Sequence, residues 1–140
     1  MIENFTDYQL DGQVSADRWV TATHLFDEGV GVVHAQTTAE RWERAVSFFD
    51  AREYVAAAKL LTEVIDEVPE QIAPRLLLAR AYYHSAQLRR AEEQLRAVIE
   101  RDPVEHYAYL MLGRTLERQG RHGEAAPWLK MAAVFSGGGS

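Results

Sequence analysis

Three segments of this chain repeat at a fixed step of 34 residues: 53–61, 87–95 and 121–129. Ala57, Ala91 and Ala125 fall one step apart, as do Leu61, Leu95 and Leu129, and Pro69 and Pro103 keep the same interval. A period of about 20–50 residues marks an architecture of stacked units, each unable to bury its apolar face alone, so that roughly three are needed for a stable stack. With 140 residues, 47% of them hydrophobic, the chain is long enough for one domain with a real core. It has no cysteine, which removes disulfides, thiol catalysis and cysteine-ligated zinc and fits a reducing compartment.

From residue 38 onward the apolar pattern is helical with short breaks. Thr37-Thr38-Ala39-Glu40 has the form of a capping box, a threonine hydroxyl serving an orphan backbone N–H and Glu40 reaching back, and predicts a helix from about 38 to 51. The pattern predicts further helices at about 54–67, 71–85, 88–101, 105–119 and 122–135. Pro69 and Pro103 cannot continue a helix and punctuate the repeats. Asp102-Pro103-Val104-Glu105 reads as cap, first-turn proline and capping glutamate of the helix that follows. Pro127, inside the last helix, removes one ladder bond and predicts a late start or a bend there. Ala45, Ala79 and Gly113 stand one period apart where helices have to approach closely, with Phe48, Tyr82 and Leu116 three residues on to fill the space between pairs.

The first 37 residues differ. Residues 1–40 hold seven acids and one base, whereas 41–140 hold fourteen of each, so the net charge of −6 resides in the first 40 residues. Trp19, Ala22, Leu25 and Phe26 predict one short helix over about 16–28, ended by Gly29. Val30-Gly31-Val32-Val33 reads as extended, and residues 1–14, with Ile2, Phe5, Tyr8 and Leu10 among acids, read as an arm. Ser136 to Ser140 reads as a glycine-rich linker.

The 34-residue period, the paired helical patterns, and above all Tyr109-x-x-Leu112-Gly113-x-x-Leu116 followed by Gly120 and Ala125, resemble the tetratricopeptide repeat family. The first copy departs most, because Arg41 and Arg44 stand where the family prefers large apolar residues. The resemblance implies an all-α fold, a right-handed superhelix of stacked antiparallel helix pairs, with repeats at 38–69, 70–103 and 104–135 behind the leader of residues 1–37. It also implies that the first helices of successive pairs line a concave groove on which residues 34 apart stand in rows. Those rows are Trp42, Leu76 and Leu110; Phe49, Tyr83 and Glu117; Val46, Arg80 and Arg114; and Asp50, His84 and Arg118. Some members grip a chaperone's C-terminal carboxylate with a lysine–asparagine clamp. Trp42, Val46 and Leu77 occupy matching positions here, which argues against that ligand.

The groove reading makes Trp42, Phe49, Leu76, Arg80, Tyr83, His84, Leu110, Arg114 and Arg118 the candidate binding residues. Arginine pairs on adjacent helices suit an acidic or aromatic peptide; the bland alternative pairs each arginine with Asp50, Glu117 or solvent. Catalysis finds little footing. His24, His34, His84, His106 and His122 lack the i, i+4 metal spacing, and there is no nucleophile elbow or phosphate-cradling loop, so no enzyme, metal or cofactor is expected. Asp50 with His84 reads as a surface pair, and Arg89, Arg90, Arg96 and Arg101 as a solvated face laced with ion pairs. The acidic balance disfavours nucleic acid. With no apolar stretch near the ~18 residues of a membrane span and no targeting signal, the chain reads as a cytoplasmic protein. The expected function is therefore an adaptor that binds a protein or peptide, the alternative being a homodimer formed through Trp128, Met131 and Phe135, with the groove covered by the chain's own leader.

Overall fold

The computed structural model describes residues 36–138, all of whose regular structure is helical. Six helices follow one another: α1 (Thr38–Asp50), α2 (Tyr54–Glu67), α3 (Ile72–His84), α4 (Leu88–Arg101), α5 (His106–Arg118) and α6 (His122–Ala133), with a terminal π-helical turn over Val134–Gly138. Each odd-numbered helix packs on the next, and α4 also packs on α5. By contact density the chain divides into two units, Met1–Glu67 and Val68–Ser140. The expected leader helix and the extended 30–33 segment lie outside the described residues.

The period is written into the backbone as well as the side chains. Arg52, Ala86 and Gly120, each 34 residues from the next, all adopt the left-handed conformation, at φ 64°, 62° and 78°. Around each the same pair of hydrogen bonds closes the preceding helix. The N–H groups of Arg52, Ala86 and Gly120 donate to the carbonyls of Phe49, Tyr83 and Glu117 at 2.9–3.1 Å, and those of Glu53, Gln87 and Arg121 to Phe48, Tyr82 and Leu116 at 2.8–2.9 Å. This is the Schellman arrangement, which satisfies orphan C-terminal carbonyls and reverses the chain into the partner helix.

In the first unit, the capping box forms as the sequence predicts. The Glu40 amide donates to Thr37 Oγ1 at 3.1 Å, and the Thr37 amide to Glu40 Oε1 at 2.7 Å. Ala45, Val46 and Phe49 of α1 and Ala57, Leu61, Val64 and Ile65 of α2 are buried. Arg41, in a position that suits an apolar residue, instead works as a polar tie. It donates to the Gln36 carbonyl at 2.6 Å and pairs with Glu63 at 3.7 Å and with Glu67. Thr38 also donates to the Glu67 carboxylate, and this bond, ahead of Arg41, holds the Glu67 pKa below its usual value.

The second unit has its core where α3, α4, α5 and α6 converge on Ala79, Leu95, Val98, Ala108, Leu112, Leu116 and Ala125. Gly113 is the point of closest approach, since a Cβ there would lie 2.4 Å from Leu129 Cδ2. The loop prolines are tied in by residues 34 apart: Tyr109 donates its hydroxyl to the Pro103 carbonyl at 2.7 Å, and Arg75 donates to that of Pro69 at 3.3 Å.

Two expectations need correction. Asp102 does not cap the helix that follows; its amide bonds back to Val98 at 2.8 Å, so it closes α4. Glu105 is itself the N-cap of α5, its carboxylate accepting from the Tyr107 amide at 3.4 Å, and Pro103 lies in the intervening turn. Nor does Pro127 delay the last helix, which begins at His122 and carries the proline inside it to Ala133. The single missing N–H is one ladder bond, and the flanking hydrogen bonds of the Schellman turn fix the start regardless.

Candidate functional site

In the second unit, Leu76, Arg80, Tyr83 and His84 recur along α3 at the i, i+4, i+7, i+8 spacing of one helical face, and Leu110, Arg114, Glu117 and Arg118 do so along α5. Two contacts join these faces. Arg118 reaches across to donate to the Tyr83 carbonyl at 2.8 Å while its guanidinium carbon sits 4.5 Å from the centroid of the Tyr83 ring. That carbonyl belongs to the last turn of α3, the negative end of the helix dipole, where a cation is favoured. Arg80 lies over Tyr107 at the start of α5, 5.9 Å from its ring centroid. Tyr83 meets the His84 ring edge-on at 5.8 Å.

The electrostatics of this face are set by its arginines. The pKa of His84 is pushed down, first by burial and then by the charges of Arg80 and Arg118, so the imidazole favours its neutral form beside two fixed cations. Burial raises the Tyr107 pKa, with the Arg80 charge working the other way. Arg114 ion-pairs with Glu117 at 3.0 Å, one turn along the same helix, while remaining 54% exposed. Of the alternatives the sequence left open for Arg114, the pair with Glu117 is the one that forms. Leu76 and Tyr83 are half-buried against the core, and Leu110 is likewise half-buried.

The remaining candidates belong to the first unit. Trp42 is half-buried on α1. Phe49, expected on an open surface, is only 6% exposed and packs edge-on against Tyr54 at 5.2 Å, so it serves the core. Its position, one residue before the end of α1, turns it toward the start of α2 across the Schellman turn. Asp50 closes α1 of the first unit, and His84 closes α3 of the second.

One junction escaped the sequence reading. Glu92 on α4, its side chain 12% exposed, accepts hydrogen bonds from Gln119 at 3.1 Å, Arg121 at 2.7 Å and Arg96 at 3.0 Å. Gln119 and Arg121 flank Gly120, so this carboxylate holds the α5–α6 turn against α4. Burial raises its pKa, but the bonds from Arg121, Gln119 and Arg96 outweigh that and bring the net value down. Arg121 also pairs with Glu124 at 2.8 Å. The α4 arginines are more than a solvated face: Arg90 lies 5.9 Å from the Tyr82 ring centroid and Arg96 5.5 Å from that of Trp128.

At the C-terminal end, Trp128 and Phe135 both approach Tyr109, at 5.8 and 5.2 Å between centroids, while Met131, Val134 and Phe135 remain 41%, 67% and 37% exposed. Among the described residues no group of three or more histidines and carboxylates is placed to hold a metal ion, and no helix is long and apolar enough to cross a membrane.

Helix hairpins at a 34-residue step, each closed by the same left-handed turn, define a helical-repeat protein. Residues 76–140 match the family model described as Tetratricopeptide repeat. Solved structures share the fold over most of the chain. MamA from Desulfovibrio magneticus RS-1 is 19% identical with a TM-score of 0.72, covering 94% of this chain and 75% of that one. A crystal structure of MamA gives 20% and 0.72, over 95% and 78%. The second tetratricopeptide domain of Spaghetti (RPAP3), bound to the HSP90 peptide SRMEEVD, is 20% identical with a TM-score of 0.67, covering 71% of this chain and 93% of that one. No curated protein matches the sequence. Over residues 76–140 the chain is thus similar to the tetratricopeptide repeat family, and at these identities the likeness to solved structures speaks for the fold.

Proposed function

We propose that the protein is a non-enzymatic adaptor that binds an acidic, aromatic-containing segment of a partner protein on the α3–α5 face of its second unit. The observation that supports this most is the meeting of Arg80 with Tyr107 and of Arg118 with Tyr83 between α3 and α5, with Arg114 one turn before Arg118 on α5, a cationic and aromatic surface with a single acid, Glu117, at the corresponding face positions. Guanidinium groups offer forked donors to carboxylates, and tyrosine rings offer flat apolar area at low entropic cost. One relative of the same fold was solved with a bound peptide containing two glutamates and an aspartate, and such a ligand type is what this face suits by its own chemistry. Selection from a random-peptide display library against the full chain tests the reading. It predicts enrichment of peptides that combine Asp or Glu with aromatic residues. A consensus without carboxylates, or no enrichment over an unrelated helical protein, would overturn it.

A second reading, self-association, draws on the apolar end of the last helix, where Met131 of α6 and Val134 and Phe135 just after it remain exposed. Clustered exposed apolar side chains favour association, and an isologous two-fold contact is the commonest way to cover them. Light scattering over a dilution series should then show a dimer that Phe135→Glu dissociates. A monomer at every concentration, unaltered by that charge, contradicts it.

A further inference from the structure

We infer that the acidic group taken by the α3–α5 face is a phosphate monoester, a phosphorylated side chain of the partner segment held between Arg80 and Arg118. This rests on the proposed reading of that face and narrows its ligand class. Every group concerned lies within the second unit. Arg118 of α5 donates to the Tyr83 carbonyl of α3 at 2.8 Å, its guanidinium carbon 4.5 Å from the Tyr83 ring centroid. Tyr83 meets His84 edge-on at 5.8 Å, and Arg80 reaches from α3 to within 5.9 Å of the Tyr107 ring centroid on α5. The charges of Arg80 and Arg118 are both felt at His84, and Tyr107 is acted on by Arg80 and Tyr83 together. Two guanidinium groups, two phenols and an imidazole thus share one small area, presented by two adjacent helices.

The donors there are of a kind and number that a phosphate uses better than a carboxylate. Arg118 meets neutral partners, a carbonyl and a ring, so neither cancels its charge, and its other N–H groups are left for a ligand. Among the described residues the hydroxyls of Tyr83 and Tyr107 donate to no protein group, which adds two neutral donors beside the cations. Arg114, by contrast, already pairs with Glu117 at 3.0 Å, and a ligand carboxylate that took that place would exchange like for like. A carboxylate has two oxygens in one plane and is matched by a single guanidinium fork. A phosphate monoester carries about −1.5 to −2 charges at pH 7 on three acceptor oxygens, and opposite an arginine cluster it forms about one to three charge-assisted hydrogen bonds. Donors that approach from two helices, and that mix guanidinium with phenol, suit the tetrahedral group.

Three peptide pools, random except at a fixed central position, test this against the immobilised full chain. The first carries phosphoserine, phosphothreonine and phosphotyrosine at that position, the second glutamate, the third serine, threonine and tyrosine. The phosphorylated pool should be retained about tenfold or more over the glutamate pool, the worth of one further hydrogen bond to a charged group. Arg80→Ala and Arg118→Ala should each abolish that advantage, whereas Arg89→Ala on α4 should leave it unchanged. Because Arg118 also closes α3, a second variant combines Tyr83→Phe with Tyr107→Phe, which keeps both rings and removes only the hydroxyls; it should cut the advantage by about threefold or more. The inference is overturned if the phosphorylated and glutamate pools are retained alike, or if the advantage persists in both arginine variants or in the double phenylalanine variant. When the glutamate pool equals the phosphorylated one and both exceed the third, the phosphate preference fails and the adaptor survives. When all three pools are retained alike, the adaptor reading falls with it.

Discussion

Arg52, Ala86 and Gly120 adopt one backbone conformation, and only the third has the side chain suited to it. A left-handed conformation costs an L-residue roughly 1–2 kcal/mol, against which glycine's greater freedom in the unfolded chain takes back part of the gain. Ala86→Gly should therefore stabilise the fold by about 0.5–1 kcal/mol, read as a higher urea midpoint with an unchanged slope. A fall in midpoint would mean that the turn is not held left-handed in solution. Glu92 supplies a second residue-scale prediction. Because its folded pKa lies below its unfolded value near 4.5, its contribution is fully present above that value and is lost as pH falls through the folded pKa. Glu92→Gln should cost about 1–3 kcal/mol at pH 7, and the gap between the variant and the native chain should close as the pH drops below about 4.5. A gap that stays constant down to pH 3 would show that the carboxylate's charge contributes nothing.

At the scale of the element, each helix is defined by how it starts and stops. The capping box at Thr37 and Glu40 satisfies two orphan donors of α1 reciprocally, so Thr37→Ala should lower stability by about 1 kcal/mol in chemical denaturation; no loss would mean that α1 frays regardless of its cap. This start was legible because a capping box is local chemistry, and the helix spans were legible because amphipathic spacing and the loop prolines are local too. The stops were less so. Gly120 advertises its turn, but Arg52 and Ala86 adopt the same turn with no mark in their identity, because the packing of each hairpin imposes it. Asp102 carries the signal of an N-cap for α5 yet ends α4, since a short Asp-Pro segment between helices carries cap signals for either side. Phe49 and Glu92 were opaque for a different reason. Whether a side chain at a given helical position meets the core or a partner's charge depends on neighbours outside its own helix, Tyr54 across the turn for Phe49, and Gln119 and Arg121, 27 and 29 residues away, for Glu92.

For the whole molecule, the division of charge is the organising fact. A repeat scaffold built from small residues at close approaches, Ala79 and Gly113 among them, sets helices side by side, and the residues it leaves on the α3–α5 face are cationic and aromatic. Arg118 is partly engaged in closing α3, and Arg114 in pairing with Glu117, so a ligand carboxylate has to compete with contacts already present. Such competition favours ligands that bring several carboxylates and an aromatic anchor together over single charges. The central claim, that this face is where a partner binds, is tested most directly by mapping a library-selected peptide onto the amide spectrum of the chain. The account predicts that chemical-shift changes concentrate at Leu76, Arg80, Tyr83, Leu110, Arg114 and Arg118, and that Arg80→Ala and Arg114→Ala each weaken binding by on the order of 1–3 kcal/mol. Shifts confined to α4 and α6, with affinity indifferent to both arginines, would contradict it.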